Sequence, residues 1–297
     1  VTPELTLTSY QAIGIPIALI GAIFLSLGAQ YQHRGVAKVE AMSPDGVTGG
    51  LSMRQLLLLL QRPSWVVGSV LLGLAIVLQL ISLKFAPLIV VQPLGVLALV
   101  MTSIINARVS KVKLNKRSIL AIALCVVGIA VFVTIAAFVA VEKPISDRQL
   151  IIILVILGVV TVTFAAIFFF HGRKFTAIGY IVLAGVLYGF VATLAKVVIV
   201  RISQGDFEWL TLTCLIALLA AAALGAYFVQ DAYASGPPDL VIAGLTVIDP
   251  VVAVGIGVVV LGEAANAGPW QAVGFALSAV TAIVGVFLLA RYHPQTA

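Results

Sequence analysis

The sequence predicts an all-α polytopic membrane protein. About nine transmembrane helices fall into two inverted repeats, helices 1–4 and 6–9, with helix five as linker. Three observations carry this. Of 297 residues, 62% are hydrophobic and 9% charged, with a mean hydropathy of +1.21, a balance foreign to soluble domains. Apolar runs long enough for a ~30 Å hydrocarbon core recur along the chain between short polar connections. Two stretches also share a register at a shift of 157 residues.

The first span covers about 10–31 and ends at Gln32, His33 and Arg34. Val1 to Tyr10 carries no Lys or Arg, which argues for a retained helix over a leader. A polar connection follows, with the turn signal Ser43-Pro44-Asp45-Gly46. Residues 52–62, five leucines between Arg54-Gln55 and Gln61-Arg62, are too short to span and predict an interfacial helix. Span two is about 63–84, and span three about 87–107 after a tight turn at Lys84–Pro87. A basic loop (Arg108, Lys111, Lys113, Lys116, Arg117) precedes span four, about 118–141. Span five is about 149–170, six 176–200, seven 209–230, eight 238–262 and nine 270–290. The whole chain, 1–297, is then one transmembrane domain, with halves of about 10–141 and 176–290.

With the N-terminus outside, 12 of the 17 Lys and Arg fall in inner connections and the tail, and four in outer loops. That asymmetry predicts an N-terminus outside and a C-terminus in the cytoplasm, in a bacterial inner or plasma membrane. The net charge of +6 records this bias and does not indicate nucleic acid. Cys125 and Cys214 lie in apolar spans without a CxxC or Cys/His cluster and read as small core residues. Trp65, Trp209 and Trp270 sit at span ends as interface anchors.

At the shift of 157, Leu88 falls on Leu245, Val90 on Val247, Pro93 on Pro250, Leu120 on Leu277, and Val127-Gly128 on Val284-Gly285. Gln92 falls on Asp249. Span three enters from outside and span eight from inside, so the units are inverted. Asp249 lies 11 residues from Pro238. That is roughly 16 Å of helix, near the midplane, where a carboxylate costs ~2.5–3.5 kcal/mol and normally faces protein or a wet cavity. Pro93 and Pro250 each remove a backbone donor and predict helix breaks. Polar groups beside broken helices at midplane depth mark the sites of many carriers.

With these residues laid out, the chain resembles the drug/metabolite transporter superfamily, and within it is most similar to the NIPA-type magnesium transporter branch. The likeness rests on Phe85-Ala86-Pro87, then Pro93-Leu94-Gly95, a short connection and a Gly-containing helix up to Val133. Arg34 to Lys38 resembles the basic end of the family's first helix. Gly189 to Lys196 resembles its Gly-Ser…Lys segment, with Phe190 in place of Ser. Asp249-Pro250 and Leu261-Gly262-Glu263 resemble the last-but-one helix of many superfamily members. Family members often carry Gly-Glu and Asn-Phe before Phe-Ala-Pro; here Ala75-Ile76 and Gln79-Leu80 stand there, without the acidic group.

The resemblance implies a secondary transporter working by alternating access on a small metabolite or a cation such as Mg2+. A flippase for a lipid-linked headgroup and a non-transporting subunit or scaffold are the alternatives. The candidate substrate- or ion-binding set is Asp249, Gln92, Gln79, Lys196, Tyr188 and Thr246, with Gln30 at similar depth. Whether it holds a metal stays open. Lys196 reads as snorkelling to the outer surface, or else as a pore-facing cation that binds an anionic headgroup or pairs with Asp249. Glu263 reads as a solvated group at the outer end of span eight. No cofactor is expected, and the absence of GxxxxGK[ST], HExxH and GxSxG argues against a pump or an enzyme. The expected partners are a small-molecule, cation or lipid substrate and the surrounding lipids, with no nucleic acid; a homodimer stays open.

Overall fold

The computed structural model describes residues 9–40, 59–109, 115–171 and 176–292. They form ten helices: α1 (Ser9–Glu40), α2 (Pro63–Phe85), α3 (Leu88–Gly95), α4 (Leu97–Val109), α5 (Lys116–Val139), α6 (Asp147–His171), α7 (Ala177–Gln204), α8 (Trp209–Ser235), α9 (Pro238–Val259) and α10 (Pro269–Tyr292). Because α3 and α4 share one span, nine helical runs among the described residues are long and apolar enough to cross a membrane. The turn at 43–46 and most of the interfacial segment 52–62 lie outside the described residues.

Local chemistry places the ends. Pro63 and Pro238 open α2 and α9, where a missing N–H costs nothing. Asn115 caps α5 by accepting from the Ser118 N–H at 2.7 Å. Gly205, at φ 83°, closes α7 in the left-handed conformation that glycine adopts without strain.

Two boundaries differ from the sequence reading. The first helix runs on to Glu40, past the polar Gln32–Arg34. Gly35 on this extension lies against Trp65, so packing on α2 accompanies the helix out of its apolar stretch. The third span breaks at Val96, whose N–H bonds the Pro93 carbonyl at 3.2 Å in a tight turn. The matching break at Pro250 does not occur: α9 is one helix from Pro238 to Val259. Ile248 and Val252 of α9 seat on Gly185 and Gly189 of α7, and such a neighbour can hold a transmembrane helix together across a proline.

Helices meet through small residues. Gly14, Gly21, Gly28 and Gly35 of α1 recur every seven residues and face Ala86, Ala75–Leu78, Gly68–Leu72 and Trp65. On α2 the buried Gly68, Ala75 and Ser82 keep the same interval, so two heptad seams interlock. The Ser82 hydroxyl donates to the Gly14 carbonyl at 2.9 Å at one end. Gln32 donates to the Ser69 hydroxyl at 3.0 Å towards the other. Helix α7 packs along α8 and α9, and α5 along α10.

The α5–α10 contact is reciprocal. A methyl group on Gly128 would stand 2.6 Å from the Ala282 nitrogen and 2.8 Å from the Ser278 oxygen. One on Gly285 would stand 2.5 Å from the Cys125 nitrogen and 2.9 Å from the Ala121 oxygen. Ala121, Cys125 and Gly128 become Ser278, Ala282 and Gly285 at the shift of 157. Each glycine therefore meets the equivalents of its own neighbours, the pattern an isologous contact produces.

This close approach sets a test. Gly128→Ala should destabilise the protein by about 1–3 kcal/mol through forced separation of α5 from α10. Gly158→Ala, on α6 with no atom within 4 Å of the added carbon, should be neutral or slightly stabilising. Thermal unfolding in detergent compares them, and equal transitions would mean that the seam can yield.

Candidate functional site

Asp249 sits in mid-α9, its backbone carbonyl packed on Gly189 of α7. Its Oδ1 is buried and has no hydrogen-bond partner. A buried carboxylate oxygen without a donor is an expensive arrangement, and one that a cation or a proton relieves. Tyr188, on the same stretch of α7, lies within electrostatic reach of Asp249, and its ring rests on Gly225 of α8.

The other predicted residues are placed differently. Gln92 is buried in α3, and Gln79 is half-buried on α2, with its backbone facing Gly21. Neither hydrogen-bonds Asp249. Thr246 gives its hydroxyl to the Ile242 carbonyl at 2.7 Å. It faces an apolar cavity of about 340 Å³ that Pro93, Phe132, Pro250, Val254 and Ala279 also line. Asp249 does not line that cavity, so α9 presents an apolar face to α5 and α10 and its carboxylate elsewhere. Gln30 donates to the Asn106 side chain, and Thr102 donates to Ser26 at 3.0 Å. These bonds form a polar seam between α1 and α4. The sequence reading had singled out only Gln30 of these four, because Ser26, Thr102 and Asn106 look like ordinary small polar residues.

Lys196 requires a correction. It is 3% exposed, so it does not snorkel, and its partner is Glu142 rather than Asp249. Its ammonium also donates to the Ala86 carbonyl at 2.8 Å. Glu263 requires another. It is 3% exposed, and its two carboxylate oxygens accept from the Leu88 and Ile89 N–H groups, each at 2.9 Å. It therefore caps α3 from 174 residues away in sequence. Burial pushes the Glu263 carboxyl above its ordinary value, while the Lys196 ammonium and the two helix N–H groups pull it back down. A polar cavity of about 390 Å³, lined by Lys84, Glu142, Lys143, Lys196 and Glu263, opens beside this network. Arg201, also buried, ties the end of α7 to Asp147 at 2.8 Å and Asp206 at 3.4 Å.

Among the described residues, no three His, Cys, Asp or Glu converge as a metal cage. Among the described residues, the bundle offers one buried carboxylate oxygen without a hydrogen-bond partner, that of Asp249. Residues 9–203 match the family described as Magnesium transporter NIPA, about two thirds of the chain. The chain belongs to the NIPA family. It is an integral membrane protein of a transporter family, as the Phe85–Val133 motifs implied. The family match covers α1 to α7, with Gln79, Gln92, Glu142, Tyr188 and Lys196, and stops before Asp249 and Glu263.

An uncharacterized protein of Corynebacterium glutamicum is 26% identical over 282 residues, 94% of this chain and 95% of that protein. Two Arabidopsis thaliana proteins, named probable magnesium transporters NIPA5 and NIPA4, are each 28% identical. These two matches take in 41% and 39% of this chain, and 30% and 32% of the relatives, so the NIPA chain here spans about a third of each. No solved structure matches the chain.

The Glu263 cap can be weighed directly. Glu263→Gln turns an amide NH2 towards one of two helix N–H donors and should cost about 1–3 kcal/mol of stability. Glu208→Gln, at an exposed carboxylate 3.9 Å from Arg201, should stay within about 0.5 kcal/mol of wild type. Matched thermal transitions for the two variants would remove the cap from the stability argument.

Proposed function

We propose that this protein is a secondary transporter that carries a small cation, with Mg2+ the first candidate, by alternating access around Asp249. The observation that carries the reading is the Asp249 oxygen, buried in mid-span without a donor. A hydrated cation supplies what that oxygen lacks. Magnesium keeps several of its waters and is often held through one or two carboxylates, so a single deep carboxylate suits it as cargo. Tyr188 of α7 lies within electrostatic reach of the same carboxylate. The magnesium-transporter names of the Arabidopsis relatives support the same substrate.

The two inverted halves, about 10–141 and 176–290 with 149–170 as linker, are part of this reading. The reciprocal α5–α10 contact at the shift of 157 supports them. So does the parallel packing of α1 on α2 and the third span, and of α7 on α8 and α9. The halves would rock about α5 and α10, with the N-terminus outside and the C-terminus in the cytoplasm of the plasma membrane. In a chain with its two buried cysteines, Cys125 and Cys214, replaced, Asn266→Cys should react with an impermeant maleimide on intact cells. Asn115→Cys should not; the opposite pattern would invert the orientation.

Asp249→Asn keeps the side-chain volume and removes the charge. Losing a charged contact of about 1.5–3 kcal/mol weakens cation binding roughly 10- to 150-fold. Relief of the insertion cost leaves stability unchanged or higher. The measurement is Mg2+ uptake into liposomes holding purified protein, beside thermal stability. Wild-type uptake by Asp249→Asn would remove Asp249 from the mechanism. Uptake that depends on an added lipid substrate would favour a flippase.

A further inference from the structure

We propose that Glu142, Lys196 and Glu263 form the gate of the carrier at the α9–α10 end, latched shut in this structure. The inference rests on the alternating-access reading above. Four bonds at this end join one half to the other, and a fifth ties Lys196 to Glu142 just past the end of the first half. The Lys196 ammonium, in the second half, reaches the Ala86 carbonyl and the Glu142 carboxylate beside the first half. Glu263, in the second half, receives the Leu88 and Ile89 N–H groups of the first. The Val141 N–H, at the end of the first half, also donates to the Glu263 carbonyl at 2.8 Å. Helices that rock apart here must break or exchange these bonds.

The rest of the molecule is joined differently. The α1–α4 seam, Gln30–Asn106 and Thr102–Ser26, lies wholly within the first half. The α5–α10 contact crosses between halves, but it is backbone against glycine at Gly128 and Gly285 and ring on ring at Phe132 and Phe275, with Asn115 and Ser118 donating to the Tyr292 carbonyl at one end. Close apolar packing suits an axis that stays assembled. The charged links suit a latch, because their groups can trade partners with water, with one another or with a cation. The polar cavity of about 390 Å³ beside Lys196 and Glu263 gives water access to that exchange. Glu142, half-exposed at its rim, is the member most readily released.

Glu142→Gln should weaken the latch and populate the state open at this end. The reporter is Leu261→Cys in the background without Cys125 and Cys214. Leu261 lines the cavity and is 6% exposed. Its reaction with an impermeant maleimide, in purified protein in liposomes, should rise roughly tenfold with Glu142→Gln, the change a modest population shift produces. Ser203→Cys, already exposed on the same cavity, controls for the altered local charge and should react at an unchanged rate. An unchanged Leu261→Cys rate, with the thermal transition retained, overturns the gate. If Glu142→Gln loses its thermal transition, Glu142→Asp takes its place under the same criteria. Mg2+ uptake by the wild-type protein is measured in parallel. Its absence would sink the transport reading, whereas the labelling rates decide the latch on their own.

Discussion

The structure depends on how α3 begins. A helix that starts inside a membrane protein presents backbone N–H groups that bulk water does not reach, and each must find an acceptor. Here Glu263 reaches back from the end of α9 and takes two of them. The same turn loses a second liability when Lys196 occupies the Ala86 carbonyl. The tight connection from α2 to α3 is thus held by side chains from α7 and from just beyond α9. Without that, the short helix bearing Gln92 and Pro93 would have no fixed starting point.

Polar groups inside this protein are distributed by purpose. The seam between α1 and α4 pairs every polar side chain named in it, as stable transmembrane packing requires. The Lys196 network pairs its ammonium with Glu142, and Glu263 beside it takes helix N–H groups. Asp249 alone keeps a buried carboxylate oxygen unsatisfied among the described residues. Gly185 and Gly189 of α7 bring the backbones close there without offering a side-chain donor. An apolar α9 face on the far side and a bare carboxylate on this one give the helix two environments.

Much of this was legible in the sequence. The bilayer dictates composition so strongly that nine spans followed from apolar runs, and the turn at Lys84–Pro87 from its proline. Asp249 was visible because a carboxylate in such a run is rare. Pro93 and Pro250 look alike locally, yet only the first sits at a break. The difference lies in α7, whose glycines are distant in sequence from α9. Glu263 and Lys196 were misread for the same reason: a charge at a span end looks solvated until its distant partner is known. Gln32, His33 and Arg34 ended an apolar run but not a helix, since backbone bonding continues where polarity changes. The glycines of α1 carried a signal that went unread, a seven-residue interval rather than any single position.

That interval constrains how the chain can change in length. Each residue advances an α-helix by ~100°, so one residue inserted between Gly14 and Gly35 would swing the glycines beyond it away from α2 and drive larger side chains into the seam. Seven residues correspond to nearly two full turns and would leave the surviving glycines almost in line. The first helical pair is therefore ruled in steps of seven, and gaps of other lengths belong in its connections.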